Sequence, residues 1–160
     1  MADCRGCLAE PGIAHQSAVR SGGTPRCEAD WRSCMRKHWK QAQLSARTAH
    51  EALRLGDTVS CTSRAYYAMF DAARAALTVI DPEFASAKTH TTILGRFSKH
   101  VVKERGLDAK HARALRAAFD VRQVADYDSD PPRPEQAAET LESMDDFIAA
   151  IGAMFANALS

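Results

Sequence analysis

Glycine and proline are scarce in this chain, eight and six in 160 residues, and most fall in clusters at Pro11-Gly12, Gly22-Gly23, Pro25 and Pro131 to Pro134. A sheet protein needs turn residues spread along its length, so this distribution favours helices. Aromatic residues are also few, at 7%. The chain has no apolar run approaching the roughly 20 residues that span a bilayer, and its first residues have no continuous apolar stretch of the signal-peptide kind. A cytoplasmic protein without membrane contact is therefore expected. The five cysteines are odd in number and form no closed disulfide framework. Cys4, Cys7, Cys27 and Cys34 could supply four zinc ligands only with a second pair much wider than structural zinc sites use. Free thiols, no metal and no cofactor are the expectation.

The formal net charge of +1 conceals a division along the chain. Residues 1 to 34 carry four basic and four acidic side chains, residues 35 to 127 sixteen and nine, and residues 128 to 160 one and seven. The middle is basic and the end acidic, a pattern suited to meeting phosphates and equally compatible with an unevenly charged bundle surface. The densest basic window runs from Lys88 to Arg122, with nine lysines and arginines against three acids.

Hydrophobic periodicity predicts five helices after a loosely patterned head over residues 1–30. The first carries Met35, Trp39, Ala42, Ala46, Ala49 and Leu53 on one stripe and stops at Gly56. The second opens near Ser60, buries Tyr66, Met69, Phe70, Ala73, Leu77 and Ile80, and ends at Asp81-Pro82. A third is expected from Thr89 to Gly106, a fourth from Asp108 with Leu115, Ala118, Phe119, Val121 and Ala125 inward, and a fifth from Pro134. Short connections favour antiparallel neighbours. The expected fold over residues 31–160 is thus all-α, an up-and-down bundle of four long helices plus a shorter one.

Chemistry on such a fold must come from side chains that project from helices. Arg64, Tyr67, Asp71 and Arg74 lie at spacings of three, four and three, a polar stripe that could contact nucleic acid or simply form a solvated face held by Asp71 and Arg74. Arg96, Lys99 and Lys103 sit on successive turns and could follow a phosphate backbone. Arg122 borders the apolar stripe of the fourth helix, where a guanidinium is costly unless something pairs with it. That position suits it to hold a phosphate and stabilise charge developing during phosphodiester cleavage.

Three segments in order, Arg64 to Phe70 (Arg-Ala-Tyr-Tyr-Ala-Met-Phe), Lys88-Thr89-His90, and Arg122 to Asp128 (Arg-Gln-Val-Ala-Asp-Tyr-Asp), resemble one branch of the HEPN-domain family. The resemblance covers the chain from about Met35 onward. It implies a dimerising helical bundle, often the toxin of a toxin–antitoxin pair whose antitoxin is a nucleotidyltransferase. It also implies metal-independent cleavage of RNA, using an arginine followed after four to six residues by a histidine. There the ribose 2′-hydroxyl attacks its own phosphate while the arginine stabilises the phosphorane.

This chain departs from that pattern. Arg122 is followed after four residues by Tyr127, and tyrosine, with a pKa near 10, is a poor base at neutral pH. Arg105 and His111 match the spacing, but Gly106 and a helix start lie between them. The site expected from sequence therefore has Arg122, Asp126 and Tyr127 as catalytic candidates and Arg64, Tyr67, Lys88, His90, Arg96 and Lys99 as RNA-binding candidates. Arg122 and Tyr127 lie roughly 140° apart around an ideal helix, so joint action would need distortion or a second subunit. Three readings stay open: a HEPN endoribonuclease of the toxin type, a non-catalytic HEPN module binding RNA, a nucleotide or a nucleotidyltransferase partner, and a structural homodimer.

Overall fold

Apolar residues spaced three and four apart produce four long helices in the computed structural model: α1 (Arg26–Arg54), α2 (Thr58–Ile80), α4 (Ala109–Tyr127) and α5 (Pro134–Met154). Two short ones, α3 (His90–Arg96) and α6 (Ala156–Leu159), complete the set. The structure describes residues 26–87, 89–127 and 131–159, with side chains over 31–87, 89–124 and 131–159. No strand occurs among the described residues, and none of their helices is long and apolar enough to cross a membrane. The all-α bundle expected from periodicity is the fold observed.

Helix α2 is the centre of the bundle and packs against α1, α4 and α5. Its alanines explain how: Ala65, Ala68, Ala72, Ala73, Ala75 and Ala76 are fully buried, and such small side chains let several helices approach one backbone. α1 and α2 are joined through Leu55, Gly56 and Asp57 and pack along each other, so they run antiparallel. The larger core side chains are Tyr66, Met69 and Leu77 from α2, Ile93 and Phe97 from the α3 region, Leu115 from α4, and Met144, Phe147 and Ile151 from α5.

Local chemistry sets the helix ends. Asp57 accepts a hydrogen bond from the Ser60 N–H at 2.9 Å and caps α2, while Thr89 accepts from the Thr92 N–H at 3.2 Å and caps α3. The α2 terminus comes at Asp81, before Pro82, and Pro134 opens α5 as its first residue. Two boundaries differ from expectation. α1 begins at Arg26, within the head expected to be loosely patterned, and Trp31 extends the inward stripe of Met35 and Trp39 by one turn. The third helix is not continuous: after Arg96 it widens into a π-helical segment, Phe97–Lys103, where the Glu104 N–H reaches back five residues to the Lys99 carbonyl. Gly106 then takes φ +77° and turns the chain toward α4.

Candidate functional site

Tyr66 lies on the inward face of α2, fully buried, and a buried phenol needs a partner for its hydroxyl. That partner is His90, the first residue of α3: Tyr66 Oη and His90 Nδ1 are 2.5 Å apart. The Thr89 cap fixes where α3 starts and hence where the imidazole falls. Around this pair Phe70 packs 4.6 Å from the His90 ring between centroids, and Phe119 of α4 lies 5.6 Å from Tyr66 and 5.8 Å from His90. Three helices thus hold the imidazole among aromatic rings, with Nδ1 engaged by Tyr66 and Nε2 left for another partner.

Arg122, one turn beyond Phe119 on α4, brings its guanidinium over the same group. Its Cζ is 4.7 Å from the centre of the Tyr67 ring and 5.6 Å from that of Tyr66. The side chain is part-buried, and its Nε is shielded from solvent. Stacking on a tyrosine face lowers the cost of burying a guanidinium, by roughly 0.5–2 kcal/mol at a partly desolvated site. On the other side of the group Arg74 of α2 lies 5.8 Å from the Phe70 ring centre. Asp71 sits 3.9 Å from Arg74 and 3.3 Å from His38 Nδ1 of α1, with both His38 and Asp71 largely buried.

These placements set the electrostatics. Burial, and then the positive charges of Arg122 and Arg74, hold the His90 imidazole below its usual pKa, so it is neutral at physiological pH. Burial pushes the Tyr66 phenol well above its usual range, and the attraction of Arg122 does not offset this. Tyr66 is therefore a protonated hydroxyl beside a neutral imidazole. A neutral base flanked by two cations can receive an anionic group and exchange a proton with it.

Of the residues singled out in the sequence, Arg122, Tyr67 and His90 come together here. Arg64 is exposed on α2 and is absent from the ring and cation contacts that define the group among the described residues. Arg96 lies over Phe84 at 4.6 Å, in the turn Pro82–Ser86, and Lys99 is exposed on the π-helical segment, so the basic window is not a single strip converging on Arg122. Part of that window is engaged within the bundle, with Lys110 2.8 Å from Asp146 and Arg116 3.3 Å from Asp120. Lys88 and the side chains of Asp126 and Tyr127 lie outside the described residues. Arg105 and His111 do sit on different elements: His111 is buried on α4 against Phe147, and Arg105 is exposed before Gly106.

Sequence reasoning treated Tyr66 as core and missed its role as the anchor of His90. One signal was present, since a tyrosine on an apolar stripe implies a polar partner nearby. The identity of that partner, 24 residues away, was not readable from local pattern. The His38–Asp71 link across α1 and α2 had no sequence signal at all. Among the described residues no three His, Cys, Asp or Glu side chains gather as a metal site would require.

A protein from Methanocaldococcus jannaschii, provisionally named a toxin, is 28% identical over 86 residues, which is 54% of this chain and 62% of that protein's length. The chain thus matches less than two thirds of that relative. The HEPN domain matches residues 35–154, spanning α2 to α5 and most of α1. With the bundle, the ordered motifs and this match agreeing, the chain belongs to the HEPN-domain family.

Proposed function

We propose that this protein is the toxin-like member of a toxin–antitoxin pair and acts on RNA as a metal-independent endoribonuclease, with Arg122 holding the scissile phosphate. The observation that carries the reading is the placement of Arg122: a part-buried guanidinium stacked on Tyr67, beside a neutral histidine. Such a group is planar and always charged, and the geometry of its N–H fork matches the oxygens of a phosphate. Family membership and the toxin name of the Methanocaldococcus jannaschii relative support the same reading. A homodimer and a nucleotidyltransferase-type antitoxin belong to it as partners, and residues 31–160 are the functional domain, with 1–30 an extension.

Tyr127, standing where active members carry histidine, favours a second reading, a non-catalytic HEPN module that binds RNA, a nucleotide or the nucleotidyltransferase through the same surface. Incubation of purified protein with total RNA in EDTA separates the two. Cleavage by the wild type and none by Arg122→Ala supports the ribonuclease. Salt-sensitive binding without cleavage supports the module.

A further inference from the structure

We propose that His90, drawn from the start of α3 and held by Tyr66, is the proton-handling residue of the Arg122 site, doing from another helix what the histidine absent at position 127 would have done. The inference rests on the ribonuclease reading above.

Three features of the geometry carry it. The imidazole is oriented: Nδ1 is 2.5 Å from the Tyr66 hydroxyl, and the Phe70 ring packs against it at 4.6 Å. The role calls for the tautomer in which Nδ1–H donates to the Tyr66 oxygen, which leaves the Nε2 lone pair to take a proton, and the same bond persists in the imidazolium. Second, the imidazole and the guanidinium converge from α3 and α4 on one α2 tyrosine, Tyr66. Arg122 is near enough to oppose protonation of the imidazole, which puts a phosphodiester held by Arg122 in the neighbourhood of His90. Third, among the described residues the charged and titratable groups that act on His90 are Tyr66 and Arg74 from α2 and Arg122 from α4, and both charges are positive. They disfavour imidazolium while the site is empty. A bound phosphate anion offsets them, so its arrival raises the basicity of His90 when a base is needed.

The step balances without any co-reactant. The ribose O2′–H bond breaks as O2′ attacks phosphorus, and the proton passes to His90 Nε2. Nδ1–H of the resulting imidazolium donates to Tyr66 Oη. The P–O5′ bond then breaks, and O5′ takes the proton back from Nε2. The products are a 2′,3′-cyclic phosphate and a 5′-hydroxyl, and His90 is neutral again.

The test is the pH dependence of RNA cleavage in EDTA, measured for wild type, His90→Gln and Tyr66→Phe. For wild type, kcat/KM falls on the acid side with an ionisation below about 6.5, and the acid limb of kcat lies at higher pH, because the first reports free protein and the second the complex. His90→Gln, which keeps a hydrogen-bonding side chain, loses about 100-fold or more in kcat and loses the acid limb. Tyr66→Phe lowers kcat with little change in KM, as expected of a positioning residue. Cleavage that depends on Arg122 but persists in His90→Gln, or a wild-type profile flat across the acid range, overturns the role of His90 and leaves the ribonuclease reading standing. Wild-type protein that cleaves no RNA overturns both. The wild-type profile needs no variant, so a His90→Gln that fails to fold does not remove the test.

Discussion

The Tyr66 hydroxyl and His90 Nδ1, 2.5 Å apart, join the central helix of the bundle to the first residue of α3. This contact ties the stability of the fold to the geometry of the candidate site, because Tyr66 is fully buried and His90 is only partly so. Tyr66→Phe retains the ring and removes the bond. The expected loss is about 1 kcal/mol of unfolding free energy in a urea titration. A variant as stable as wild type would show that the bond adds nothing to the fold.

His90 and His111 are both held below the usual imidazole pKa, in each case chiefly by burial. The unfolded chain therefore binds more protons than the folded one once pH drops toward and below about 6.5. Stability is complete above that value and falls as pH is lowered to 5. Urea midpoints at pH 7, 6 and 5 should decline in order, and His111→Leu should flatten the decline. Midpoints that hold constant or rise toward pH 5 would contradict the burial argument.

Two glycines predict opposite outcomes. Gly106 has φ +77°, and an added methyl group there would meet nothing within 4 Å, so Gly106→Ala destabilises through the backbone alone, by about 1 kcal/mol. Gly95 lies inside α3 with the same open space and an ordinary helical backbone, so Gly95→Ala stabilises by roughly 0.5–1 kcal/mol. Thermal unfolding of the two variants distinguishes them by the sign of the shift.

The helices were legible in the sequence because each carries its own signal: the Met35, Trp39 and Ala42 stripe, the Asp81-Pro82 stop and the Pro134 start, although α2 opens at Thr58 behind the Asp57 cap rather than near Ser60. The early start of α1 and the π-helical break after Arg96 were not, since both depend on where Trp31 and Phe97 settle against the core. At the candidate site, Arg122 was conspicuous as a charge beside an apolar stripe. The roles of its companions were hidden by distance in the chain: His90 read as a motif residue and RNA-binding candidate with no partner in view, and Tyr66 as one more core aromatic. Local periodicity holds no information about which buried hydroxyl meets which imidazole across helices.

Arg122→Lys keeps the positive charge near His90 and loses the planar stack on Tyr67. An ammonium on a flexible stem cannot reproduce an oriented two-pronged contact with phosphate. Cleavage of RNA by this variant should fall by about 10-fold or more, a tenfold loss being about 1.4 kcal/mol of transition-state stabilisation. Full activity in Arg122→Lys would reduce the role of Arg122 to charge alone.

The most direct measurement is the chemistry of the RNA ends produced by purified protein in EDTA, for wild type and Arg122→Ala. The predicted result is 2′,3′-cyclic phosphate and 5′-hydroxyl ends from wild type and none from the variant. Absence of cleavage, 5′-phosphate ends, or the same products from Arg122→Ala would contradict the account.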